Sequence, residues 1–201
     1  MYSNWNDYKD LLFKATENTD KTIYKMFIDK KRPNNNIKLE PQPVKSHFDL
    51  LQKTDNSKDI LEIKVRHKYP YEQFDDIAID LYKLNYIQLL QEQISATNSY
   101  IVAIYPQSDK IILIDITYID YDAENVVERE ANHYTLTPNP QKRPKQFIQL
   151  NIKDNDKIQH TKTYKYTFSN LKETYIRTFS KYCKKYGIPE DIMKKAMSDL
   201  N

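Results

Sequence analysis

Glycine occurs once in the 201 residues, at Gly187. Phosphate-cradling loops of the Walker or dinucleotide-binding type need several glycines in a short span, so NTPases and nucleotide-cofactor enzymes built on them are excluded. Cysteine also occurs once, at Cys183, which leaves no disulfide framework and no cysteine-based zinc site. The N-terminus has no apolar stretch of the secretion-signal kind, and no run of about 18 apolar residues offers a membrane span. A soluble, cytoplasmic protein with no membrane partner is therefore expected. A dominant charge is missing as well. The formal net charge is +3, from 31 basic and 28 acidic side chains, too small by itself to demand a polyanionic partner. His47, His67, His133 and His160 are scattered without the spacing of a zinc site. No nucleophile-elbow sequence supports acyl transfer.

Tyrosine, in contrast, occurs 17 times. Two readings fit: AT-rich coding beside abundant Lys, Asn and Ile, or aromatic platforms for stacking bases. Periodicity predicts a helix, or two short ones broken near Glu17–Asp20, over Trp5–Asp29. A short strand at Leu39–Gln42 and strands at Val44–Lys53 and Lys58–His67 follow. Phe74–Gln93 reads as a long helix on Phe74, Ile77, Leu81 and Leu84. Tyr100–Pro106 and Ile111–Ile119 read as buried strands joined by a turn at Gln107–Lys110. Asp120–Pro144 is polar and loop-like, Phe147–Asp154 alternates as a strand, and a helix capped by Asn170 and Glu173 runs to Gly187. Pro189 opens a short terminal helix. The order implies an α/β layer domain around a central sheet.

The stretch KSHFDLLQKTDNSKDILEIKVRHK (Lys45–Lys68) carries the chemistry. TDNS is a two-residue hairpin turn around Asp55 and Asn56, so facing residues have numbers that sum to 111. Asp49 then faces Glu62. Phe48, Leu50, Leu61, Ile63 and Val65 form an apolar face, and His47, Asp49, Leu51, Ile60, Glu62 and Lys64 form the other. Two carboxylates starting about 5 Å apart repel near a low-dielectric core. A divalent cation relieves that repulsion, because Mg²⁺ takes one or two carboxylates together with phosphate oxygens. Asp49, Glu62 and the Ile63 carbonyl are the candidate ligands, and Lys64 could orient a water or neutralise a phosphate. The competing reading is an exposed sheet face on which Lys64 pairs with one of the acids.

Asp49, the Glu62-Ile63-Lys64 tripeptide in ILEIKVR and the amphipathic segment after it resemble the PD-(D/E)XK phosphodiesterase superfamily, of restriction-endonuclease-like fold. The resemblance covers roughly Trp5–Ile119, with Phe48 standing where the motif's name has proline. It implies an αβββαβ core with a mixed central sheet flanked by helices over 1–119; the residues beyond, 120–201, read as a C-terminal extension of loop, strand and two helices packed on that core. It also implies a catalytic set in which Asp49 and Glu62 hold Mg²⁺ or Mn²⁺ and Lys64 is the catalytic lysine. Members often carry an acid on the first helix, for which Glu17 is the candidate. Many have a polar residue on the helix after the lysine strand; of Gln73, Asp76 and Lys83, Lys83 is favoured.

The resemblance thus implies a metal-dependent endo- or exonuclease whose partner is nucleic acid, DNA ahead of RNA. The basic segment Pro140–Gln146, with Lys142, Arg143 and Lys145, reads as a loop that could grip phosphates. A phage or mobile-element origin suits the composition, and oligomeric state, a homodimer included, stays open. The rival reading is a non-catalytic protein that keeps the nuclease fold for nucleic-acid binding or assembly, such as a phage structural component.

Overall fold

The TDNS turn closes a hairpin in the computed structural model of the protein, which describes residues 5–33, 36–43, 46, 48–67, 69–119, 126–132, 142–152 and 162–198. The Thr54 N–H donates to the Ser57 carbonyl at 2.9 Å, and the Ser57 N–H donates to the Thr54 hydroxyl at 2.9 Å. Before this hairpin lie one uninterrupted helix, α1 (Lys9–Lys31), and a strand, β1 (Lys38–Pro41). From the turn run β2 (Leu50–Lys53) and β3 (Lys58–Val65), with Leu50 opposite Leu61 and Gln52 opposite Asp59. That is the register expected from the two-residue turn.

The chain next makes β4 (Asp76–Asp80), the helix α2 (Leu81–Gln93), β5 (Asn98–Tyr105) and β6 (Lys110–Asp115). β5 lies parallel to β3, with α2 inside the crossover, and β6 returns antiparallel to β5. Parallel neighbours need such a crossover, and a helix is its usual content. Later come β7 (Val126–Asn132), β8 (Lys142–Asn151), β9 (Thr163–Thr167), α3 (Leu171–Lys185) and α4 (Glu190–Met197). The six-stranded sheet has the order β1-β2-β3-β5-β6-β9, and a second sheet the order β4-β8-β7. The protein is thus mixed α/β, with a mixed central sheet flanked by helices.

Each face of the central sheet carries a buried core. Leu50, Leu61, Ile63, Val102, Ile104 and Ile111 pack under α1, α3 and α4. Leu51, Ile60, Ile101, Ala103, Ile112 and Ile114 pack on the opposite side, against α2 and the apolar residues of β4 and β8. The residues of β3 facing α2 were expected to concentrate charge. On β3 that side carries Lys58, Ile60, Glu62 and Lys64, so charge does gather there, while β5 and β6 keep the rest of the face apolar. Phe48 moves too: it joins the α2-side core rather than the face of Leu50, because β2 begins only at Leu50.

Other expectations are corrected. Asp76–Asp80 is a strand, so the helix read over Phe74–Gln93 starts only at Leu81. In DIAID, Ile77 and Ile79 alternate with polar or small residues and are buried against β8. Asp80 then caps α2 by accepting from the Tyr82 N–H at 3.0 Å. Part of the expected Asp120–Pro144 loop is the strand β7, and the basic segment lies on β8 where the described residues begin. Asn170 makes no capping hydrogen bond; the Leu171 N–H donates to Asp109 Oδ1 at 2.7 Å instead. Gly187, at φ +68, closes α3 in the left-handed region that favours glycine. No described helix is long and apolar enough to cross a membrane.

Candidate active site

Just before β2 begins, the chain brings Asp49 to the unpaired flank of β3. The Asp49 N–H donates to the Leu61 carbonyl at 2.9 Å, one residue out of step with the β2–β3 ladder. Its side chain takes over the next rung: Oδ2 accepts from the Ile63 N–H at 2.6 Å. The Ile63 N–H and C=O leave a strand on the same side. The Ile63 carbonyl therefore points toward the edge that Asp49 occupies.

Glu62 projects from β3 on the α2 side and is 1% exposed. Its Oε1 meets two cations: Lys64 Nζ at 2.9 Å and the Lys83 ammonium from the first turn of α2. Glu62 Oε2 is buried with no hydrogen-bond partner among the described residues. Burial alone would raise the Glu62 pKa, but the ammonium groups of Lys64 and Lys83 outweigh it and hold the carboxyl below its usual range. Burial works downward on Lys64, and the charges of Glu62 and Asp49 reverse it, so its pKa is raised. Among the described residues Asp49 has no such cation in contact. Burial, reinforced by the Glu62 charge, pushes its carboxyl up to about 7 despite the Ile63 hydrogen bond.

Helix α1 adds a second acidic layer. Glu17, the expected helix acid, sits 3.8 Å from Lys21. Lys21 Nζ also donates to the Gln42 carbonyl at 3.2 Å, and the Gln42 N–H donates to the Asp49 carbonyl at 3.0 Å. One turn along the helix, Asp20 accepts from the Tyr175 hydroxyl of α3 at 2.5 Å. Burial raises the Asp20 carboxyl to about 8; the Tyr175 hydrogen bond opposes this, and the charges of Asp49 and Glu17 add to it. Asp20 and Tyr175 are the residues that sequence reasoning missed. The signal for Asp20 was its position three residues after Glu17, one face of a helix that proves continuous; Tyr175 had none short of the fold.

The structure thus gathers Asp49, Glu62, Lys64, Lys83 and the α1 acids at the end of β3. A groove of about 860 Å³ opens beside them, lined by Lys83, Tyr82, Asn85, Asp80, Glu128 and Lys145 among others. Lys145 lies on its wall and pairs with Asp80 at 3.1 Å. Arg143 is exposed two residues away on β8, hence on the same strand face. The side chain of Lys142 lies outside the described residues, as do His47, His133 and His160.

Among the described residues no group of three or more His, Cys, Asp or Glu side chains could hold a metal ion. Asp49 and Glu62 form a pair of oxygen donors, to which the Ile63 carbonyl can add a third. The unpartnered Glu62 Oε2 fits a hard cation that keeps several waters and takes one or two carboxylates. Compared with protein-family models, with curated proteins and with solved structures, the chain matches none.

Proposed function

We propose that this protein is a metal-dependent nuclease with a restriction-endonuclease-like core, hydrolysing phosphodiester bonds of nucleic acid, DNA ahead of RNA. The observation that carries the reading is the Glu62 carboxylate. It is buried, held ionised by Lys64 and Lys83 at one oxygen, and left without a partner among the described residues at the other. A carboxylate kept only for stability would have both oxygens satisfied, since an unmet buried acceptor costs about 1–3 kcal/mol. The order α1-β1-β2-β3-α2-β5, with β3 parallel to β5, supports the reading: apart from β4, inserted before α2, it agrees with the αβββαβ succession that the family resemblance implies.

Mg²⁺ or Mn²⁺ bound by Asp49, Glu62 and the Ile63 carbonyl would supply charge stabilisation to the phosphoryl group in flight. The chain's own residues do the rest. Lys64, fixed by Glu62 at 2.9 Å, holds and orients the attacking water. The water oxygen bonds to phosphorus and gives up a proton to solvent as the bond to the leaving sugar oxygen breaks, and that oxygen takes up a proton from solvent. Lys83, at the groove wall, neutralises a phosphate oxygen, and Lys145 with Arg143 holds the backbone farther along.

The test incubates the purified chain with plasmid and with single-stranded DNA, in Mg²⁺, Mn²⁺ or chelator. Metal-dependent cleavage is expected, falling by about a hundredfold or more in Glu62→Ala and Lys64→Ala while circular dichroism is unchanged. Undiminished cleavage in folded variants overturns the assignment. Binding without cleavage under every metal condition favours the non-catalytic reading of the same fold.

A further inference from the structure

We propose that the central sheet carries a second site, a pocket for one unpaired nucleobase bearing an exocyclic amino group. α1 ends at Lys31 and Arg32, with the Arg32 N–H closing onto the Ile28 carbonyl at 2.8 Å, and beyond that end part of the sheet face stays open. Tyr100 of β5, Leu113 of β6, and Tyr164 and Tyr166 of β9 share this face, because Val102 pairs with Leu113 and Leu113 with Tyr164. With Tyr24, Arg32, Asp59 and others they line a cavity of about 260 Å³, of the scale of a single base rather than a larger ligand. Aromatic side chains on an open sheet face are a recurring platform for unpaired bases, since every base offers a flat face to stack.

The floor supplies the edge recognition. Asp59 is 5% exposed, and its three partners are neutral donors: Asn98 Nδ2 at 2.8 Å, Gln52 Nε2 at 3.1 Å and the Ser57 hydroxyl at 3.2 Å. No ion pair to Asp59 occurs among the described residues. The Tyr24 hydroxyl donates to Gln52 Oε1 at 3.0 Å, which fixes the direction of that amide and leaves the network rigid. A carboxylate has room for about four donors, so Asp59 can accept one more N–H from the cavity. The amino groups of cytosine, adenine and guanine provide it, whereas thymine or uracil would set a carbonyl against the carboxylate. At the rim, Arg32 is exposed and the Lys31 ammonium lies 5.0 Å from the Tyr166 ring centre, placing cations where a phosphate would follow.

This pocket is distinct from the carboxylate site: Asp59 and Glu62 lie three residues apart on β3 and face opposite sides of the sheet. It deepens the nuclease reading, and rests on it only in expecting the base to belong to a polynucleotide. The test measures fluorescence anisotropy of labelled oligo(dC), oligo(dA) and oligo(dT) on the full chain in chelator, with dCMP and dTMP as competitors. Oligo(dC) and oligo(dA) should bind at least about fivefold tighter than oligo(dT). Tyr164→Ala, at a ring already 42% exposed, should weaken oligo(dC) binding about fivefold to a hundredfold, and Tyr164→Phe should restore it. Asp59→Asn should erase the preference for dC over dT. Displacement by dCMP assigns the pocket to free nucleotides as well, and its failure restricts the ligand to the polymer; both keep the pocket. Equal affinity for the three oligonucleotides, or indifference to Tyr164→Ala, overturns it. Cleavage with such indifference removes the pocket and leaves the nuclease, whereas base-selective, Tyr164-dependent binding without any cleavage removes the nuclease and leaves the pocket.

Discussion

Asp49 and Glu62 are neighbours with opposite electrostatic fates, and the difference lies in their partners. Glu62 has two ammonium groups at one oxygen and stays ionised, while Asp49 has a backbone N–H and a nearby negative charge and is pushed up to about 7. The folded metal-free chain therefore holds a proton on Asp49 that the unfolded chain, near the ordinary value of 3.8, has already released. Asp20, at about 8, acts in the same sense. Stability from these two groups is complete below about pH 4 and is lost as pH rises toward 8. Glu62, shifted downward, contributes the opposite slope only in the acid range below its ordinary value. Urea denaturation in chelator should show stability declining from pH 5 to pH 8, about as the Asp49 and Asp20 shifts require, with a smaller decline in Asp49→Asn. An unchanged slope in that variant would show that Asp49 is not the group that titrates.

At the scale of elements, β4 decides how the second sheet attaches. Ile79 is fully buried between this strand and β8, so Ile79→Ala should cost about 2–5 kcal/mol in urea denaturation. Tyr82, exposed at the second position of α2, should cost clearly less than Ile79 when replaced by alanine. Equal costs would contradict the strand. This segment also marks where sequence reasoning stops. Phe74, Ile77, Leu81 and Leu84 fit a helical period, and Ile77 and Ile79 fit an alternating one; only pairing with β8, some 70 residues later, selects the strand. Asn170 failed for a related reason, because Asp109, distant in sequence, takes the capping role. The hairpin was legible because its turn is local, and local turn chemistry fixed the register through Lys53 and Lys58. What the turn could not tell is that β2 begins only at Leu50, which frees Asp49 for the Ile63 N–H and sends Phe48 to the other core.

Across the whole molecule, residues beyond 119 are woven into the architecture rather than appended to it. β9 forms the sixth strand of the central sheet, β8 holds β4, and α3 delivers Tyr175 to Asp20. The groove beside Lys83 is consequently walled partly by β8, which places Lys145 there. Its lining mixes Lys83 and Lys145 with Asp80 and Glu128, in keeping with a net charge of only +3. Affinity for nucleic acid should then be modest and strongly salt-dependent. Lys145→Ala should weaken binding uniformly across sequences and reduce the salt slope by about 1, read from affinities at several salt concentrations. A slope unchanged by that substitution would remove Lys145 from the contact surface.

Whether Asp49 and Glu62 jointly hold a divalent cation is read by calorimetric titration of Mn²⁺ into the metal-free chain at pH 8. One site is expected in the unaltered protein, weakening as pH falls below about 7, where a proton competes for Asp49. That site should be lost in both Asp49→Asn and Glu62→Gln with the fold intact. Binding of the same strength in either variant, or no binding to the unaltered chain, would contradict joint coordination by the two carboxylates.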